Sequence, residues 1–108
     1  MPANTSPLSF EGLREVLDRA VASEKGVKII FSSGTEEQNE AQAIYQRARM
    51  HKLRTNDRAR SLEVYPPDHP LRGQSPWDGL IINKVKNGEA YELHIVKSAL
   101  SNFVVEEL

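Results

Sequence analysis

Asn87-Gly88 separates two apolar runs, Trp77 to Val85 and Ala90 to Lys97, and this pairing constrains the chain more than any other feature. An Asn-Gly step adopts the backbone angles of a tight hairpin turn at little cost, so the two runs are predicted to pair as antiparallel strands. Successive side chains of a strand point to opposite faces. Tyr91, Leu93 and Ile95 therefore share one face of the second arm, and Glu92 and His94 the other. With Leu80 and Ile82 from the first arm, that apolar face is expected to pack against Ile44 and Tyr45.

The segments before the hairpin supply the rest of a fold. Phe10, Leu13, Val16, Leu17, Ala20 and Val21 recur at helical spacing, which predicts a helix over 9–25 with Phe10, Leu13, Leu17 and Val21 buried. Ser9 is its expected N-cap and Gly26 its left-handed stop, while Gly12 weakens it by up to ~1 kcal/mol. Val27-Lys28-Ile29-Ile30-Phe31 is β-branched and aromatic and reads as a strand, whose pairing direction is left open. Thr35-Glu36-Glu37-Gln38 has the spacing of a capping box. It opens a second helix, expected to end in the middle or upper fifties, with Ala41, Ile44, Tyr45 and Ala48 as its core stripe.

Leu62-Glu63-Val64-Tyr65 alternates and reads as a short strand. Three prolines within Pro66–Pro70 exclude regular structure there, because each fixes φ and removes a donor. The loop continues to Pro76 and is long enough to be functional or disordered. Residues 1–8 are expected to be a flexible tail, and Phe103-Val104-Val105 an edge strand after a turn at 98–102. The sum is a single α+β domain over 9–108: a small, mainly antiparallel sheet, made of the C-terminal β-hairpin plus strand 27–31, packed against two helices.

With 39% apolar and 27% charged residues, the chain has the composition of an ordinary globular protein. No apolar run approaches the roughly 20 residues of a membrane helix, and Met1 to Ser9 lacks the basic start and apolar stretch of a signal peptide. Cysteine is absent, which excludes disulfides and thiolate chemistry and fits a reducing cytoplasm.

The net charge of −1 conceals an uneven distribution. Arg47, Arg49, Lys52, Arg54, Arg58 and Arg60 face only Asp57, so this segment carries +5 and the remainder −6. At ~100° per residue, Arg47, His51, Arg54 and Arg58 form one stripe of the second helix. Arginine's planar fork suits phosphate and carboxylate oxygens. The six cations are therefore the candidate contacts to nucleic acid, or to an acidic protein surface. The competing explanation is a solvated helix face whose arginines cover apolar surface and pair with Glu36, Glu37, Glu40 or the acidic first helix. Trp77 has two readings, a base-stacking or partner-anchoring residue, or a plug where the loop enters the sheet with Asp78 capping a turn.

Catalysis finds little support in these residues. His51, His69 and His94 fall on a helix, a loop and a strand, without metal-ligand spacing, so neither a metal nor another cofactor is expected. Asp68-His69 sits in a proline-rich loop, where neighbouring side chains seldom face one substrate. Ser32-Ser33-Gly34-Thr35 lacks the glycines and lysine of a phosphate-binding loop, and Glu36 and Glu37 would repel phosphate.

The strand Val27–Phe31, the Arg-rich helix with Ala48-Arg49 and Arg58-Ala59-Arg60, and Ser75-Pro76-Trp77-Asp78-Gly79-Leu80 before a terminal hairpin resemble small uncharacterised accessory proteins of bacteriophages and prophages. The resemblance covers roughly residues 27–108 and is one of layout. It implies an accessory role in the bacterial host cytoplasm: binding nucleic acid, or binding and inhibiting a host or defence protein in the manner of an anti-CRISPR protein. It leaves the helix at 9–25 unexplained.

Overall fold

The computed structural model describes residues 9–97; the tail at 1–8, the turn at 98–102 and the strand at 103–105 expected from the sequence lie outside them. Five elements follow in the order α1 (Phe10–Ala22), β1 (Val27–Phe31), α2 (Glu36–Val64), β2 (Leu80–Asn87) and β3 (Ala90–Lys97). The strands form one antiparallel sheet in the order β1-β3-β2, and both helices contribute to the apolar cluster on one of its faces. The fold is α+β.

Local chemistry sets the element boundaries. The Ser9 hydroxyl accepts from the Gly12 N–H at 3.0 Å and starts α1. The capping box starts α2: Thr35 Oγ1 accepts from Gln38 N–H at 3.2 Å, and the Gln38 side chain accepts from Thr35 N–H at 2.9 Å. Between α1 and β1, Gly26 holds φ +85°, and a Cβ there would come within 2.5 Å of the Ile95 carbonyl oxygen. Only glycine fits this close approach of the two chains. It admits β1 beside β3, with Ile29 opposite Leu93, and so settles the pairing of β1 as antiparallel.

The hairpin turns one residue later than an Asn-Gly pair at its centre would make it. Asn87 pairs with Ala90, and Gly88-Glu89 are the two turn residues. Gly88 has φ +66° and no non-glycine residue among those described has a positive φ, so the glycine occupies the first central position. The face assignment survives, because the apolar residues keep their alternation. Leu80, Ile82, Tyr91, Leu93 and Ile95 are all buried on the helix side.

The second helix departs from the sequence reading in length and in rotation. It continues through Thr55-Asn56-Asp57 to Val64 and spans 29 residues, about 43 Å. Thr55 returns its hydroxyl to the His51 carbonyl at 3.0 Å, and Asp57 turns toward Arg14 of α1 at 3.6 Å, so neither disturbs the helix. Leu62–Tyr65 is accordingly not a strand: Leu62 to Val64 form the last helical turn. Tyr65 is extended because Pro66 follows it.

The expected stripe of Ala41, Ile44, Tyr45 and Ala48 faces outward, with Ile44 52% and Tyr45 54% exposed. The buried side is Asn39, Ala43, Gln46, Met50, Leu53 and Ser61, about half a turn away. Polar anchors select it. Asn39 accepts from Gly34 N–H at 3.0 Å and donates to the Glu89 carbonyl at 2.9 Å, which ties the start of α2 to the hairpin turn. Ser61, near the other end, accepts from Gly73 N–H at 2.7 Å. Rotating α2 to bury Ile44 would break both ties and leave these backbone groups without their partners. In α1, Leu13 and Leu17 are fully buried as expected, whereas Phe10 and Val21 at the stripe's ends are exposed.

Candidate nucleic-acid interface

The six basic residues of α2 divide by what they touch. Arg58 is held by Asp78, its Nε and one terminal nitrogen each 2.6 Å from Oδ1, while Oδ2 accepts from Ser75 N–H at 2.9 Å. Burial raises the Asp78 carboxyl, but the Ser75 N–H and the Arg58 charge outweigh it and hold the group below its ordinary value. Arg54 donates to the Leu80 carbonyl at 2.9 Å, and its Nε is buried without a partner among the described residues. These two arginines fasten α2 to the start of β2. Arg49 donates to Gln46 Oε1 at 2.8 Å and lies over Phe10 at 4.5 Å and Tyr45 at 5.5 Å. Arg47, Lys52 and Arg60 make no hydrogen bond or ion pair among the described residues.

The stripe expected from helical spacing is therefore partly fastened down. Arg54 and Arg58 have structural partners, and these partners are Asp78 and a backbone carbonyl rather than Glu36, Glu37 or Glu40. Those interactions join residues 20 and 26 positions apart, beyond what helical spacing reveals. The acidic start of α2 is engaged elsewhere, with Glu40 meeting Lys84 at 2.8 Å and Glu36 meeting Lys86.

A shallow groove of about 430 Å³ runs between α2 and the edge strand β2, lined by Ile44, Arg47, Ala48, His51 and Lys84. Partial burial, then the charges of Arg54, Arg47 and Arg58, push the His51 imidazole below its ordinary range. Burial is the larger cause, and the three arginine charges add to it. A site of this kind favours an anion, since an anion removes the penalty on charging the ring.

Trp77 is placed to pack, not to stack on a ligand. It is 2% exposed within the apolar cluster, donates from Nε1 to Asp18 Oδ1 at 2.8 Å, and lies 5.4 Å from the Arg14 guanidinium. Its faces are closed to a base, so the stacking role is set aside. Asp78, beside it, caps the turn as expected, by accepting from Ser75 N–H.

The loop at 66–76 is a chain of turns rather than an open lid. His69 N–H donates to the Pro66 carbonyl, Arg72 to His69 and Gln74 to Leu71, at 3.0 to 3.2 Å. The His69 ring stacks on Tyr65 at 4.2 Å, and its Nδ1 accepts from Leu71 N–H at 3.1 Å, so the ring is occupied locally. Between this loop and the end of α2 lies a cleft of about 560 Å³ whose walls include Arg60, Val64, Tyr65, Leu71 and Pro76. Sequence reasoning missed this cleft because it had assigned residues 62–65 to a strand.

The outer sheet face carries a third polar group. Glu92, only 5% exposed, accepts from Asn87 at 3.2 Å, meets His94 Nε2 at 2.7 Å and lies 3.8 Å from Lys28. The hydrogen bonds from His94 and Asn87 hold its carboxyl below the ordinary value. Among the described residues no helix is long and apolar enough to cross a membrane. Comparison of the chain with protein-family models, with curated proteins and with solved structures finds no match.

Proposed function

We propose that the protein is a non-enzymatic binding domain that contacts nucleic acid along the cationic flank of α2, as an accessory protein of bacteriophage or prophage origin in the bacterial cytoplasm. The observation that carries this reading is the groove beside α2, lined by Arg47, His51 and the Glu40-paired Lys84, where burial and then three arginine charges lower the imidazole. Lys52 and Arg60, on other sides of α2, have no described partner and add to its positive field. A phosphate backbone offers repeated anionic oxygens along a line, and a helix of about 43 Å spans several of them. The histidines are engaged in ways that do not assemble acid–base chemistry, since His69 is tied to Leu71 and His94 to Glu92.

A salt series with a short duplex and a single strand tests the reading. Binding should weaken linearly in log salt, and Arg47→Ala should reduce the slope by about one without changing the melt, while Lys52→Ala and Arg60→Ala, on other sides of α2, should reduce it by less. The His51 pKa, followed by NMR, should rise on addition of oligonucleotide, because a bound phosphate stabilises the imidazolium. No binding near ~50 mM salt, or an unmoved His51, overturns the assignment.

A second reading has its own observation. Arg60 borders the cleft beside exposed Val64 and Leu71, and an acidic, partly apolar protein segment fits that combination better than a phosphate backbone does. On that reading the protein regulates or inhibits a host or defence protein. Val64→Asp with Leu71→Asp would then abolish co-purification of the partner and leave oligonucleotide binding where it stood.

A further inference from the structure

The outer face of α2 carries apolar residues that the monomer leaves uncovered. Ile44 and Tyr45 are half exposed, Ala41 and Ala48 flank them, and Phe10 of α1 extends the patch at 46% exposure. The Arg49 guanidinium lies over both Phe10 and Tyr45, giving a surface sandwich of aromatic, guanidinium and aromatic. Tyrosine and arginine are the residue types that dominate protein–protein hot spots.

The charges around the patch are self-complementary. Its centre falls between Ile44 and Tyr45, and Glu37 and Lys52 lie on the same outward side at equal distances along the helix in opposite directions. Neither has an ion-pair partner among the described residues. We propose that this face pairs with the same face of a second copy of the chain, with the two α2 helices antiparallel about a two-fold axis between Ile44 and Tyr45.

In that arrangement Ile44 meets Tyr45 of the second copy, Ala41 meets its Ala48, and Glu37 meets its Lys52. The two-fold repeats every contact, so one sequence feature makes two ion pairs. Alanine at both 41 and 48 leaves room beside the central Ile44 and Tyr45 side chains, so the helix axes can pack within the usual range of about 8–10 Å. A parallel pairing in register would instead set Glu37 against Glu37 and Lys52 against Lys52. One helix pair plus Phe10 buries less than the roughly 1,200–2,000 Å² of a standard interface, so association is expected to be weak and concentration-dependent. Arg47 and His51 stand to one side of the face, but Ile44 and Ala48 also line the groove beside it and Lys52 belongs to the cationic set, so pairing and oligonucleotide binding would compete. Sedimentation without nucleic acid tests the pairing by itself.

Sedimentation velocity on the full chain over a micromolar to millimolar series tests it. The wild type should move from monomer toward dimer as concentration rises. Ile44→Glu should remain monomeric throughout while keeping the wild-type circular dichroism melt. Glu37→Lys and Lys52→Glu should each weaken association about tenfold at low salt, and the double exchange should restore it. A wild type that is monomeric across the series overturns the proposal. So does a dimer that survives Ile44→Glu, or a double exchange that fails to recover the loss of the single ones.

Discussion

The β2–β3 hairpin and α2 bury their residues by different rules. In the hairpin, apolar side chains alternate with polar ones, and every second residue of β3 from Tyr91 to Ile95 enters the core. In α2 the inward side mixes Ala43, Met50 and Leu53 with Asn39, Gln46 and Ser61, while Ile44 and Tyr45 point to solvent. A strand joined by a two-residue turn has only two possible faces, and a one-residue slip would expose all of its apolar set at once. A long helix with apolar residues on two sides has no such restriction. Its rotation is decided by the groups at its ends that must find hydrogen-bond partners.

The largest effect that sharpens this contrast is Leu93→Ala against Ile44→Ala. Leu93 is fully buried on the central strand, and its truncation should cost about 2–5 kcal/mol in denaturant unfolding. Ile44→Ala should stay within about 0.5 kcal/mol. Equal losses would place Ile44 in the core and reverse the rotation assigned to α2.

The polar anchors should matter next. Asn39→Ala removes the acceptor for Gly34 N–H and the donor to the Glu89 carbonyl, and a loss of about 1–3 kcal/mol is expected. The altered backbone at Gly34 and Glu89 should also exchange amide hydrogens faster. A neutral Asn39→Ala would mean that apolar packing, not hydrogen bonding, sets the rotation.

The smallest effect concerns the clasp between α2 and the start of β2. Asp78 has a folded pKa below its ordinary value of 3.8. Its contribution is therefore complete above the unfolded pKa and disappears as pH falls through the folded one. Asp78→Asn should lower stability at neutral pH by up to ~1 kcal/mol, because the pair with Arg58 is partly exposed. The difference from wild type should narrow in acid. A difference that is constant with pH would show that Asp78 acts through shape and the Ser75 hydrogen bond alone.

Much of the fold was legible because its signals are local. Ser9, the Thr35–Gln38 box and the Asn87-Gly88 step each act within a few residues, and each marks an element end in the structure. Gly26 does not stop α1, which ends at Ala22 with Ser23 as its C-cap; its left-handed backbone instead admits the close approach of Ile95. The candidate site was legible only as composition. Six cations are plain in the sequence, but their division into fasteners, a stacked arginine and unpartnered charges depends on Asp78, Leu80, Gln46 and Phe10. Trp77 was undecided for the same reason, since its partner Asp18 lies on the other side of the chain.

The amino-acid sequence by itself determined the order of the two helices and three strands, the α+β class, the inner face of the hairpin and the concentration of positive charge in α2. These follow from side-chain periodicity, turn residues and caps, which act through neighbouring backbone. It also suggested a strand at 62–65, where α2 in fact continues to Val64. Tertiary structure alone decided which side of α2 is buried, where that helix stops being marginal and continues, and which arginines remain without partners. Those outcomes depend on burying polar groups only where distant backbone atoms satisfy them, and a hydrogen bond between residues fifty positions apart leaves no periodic trace.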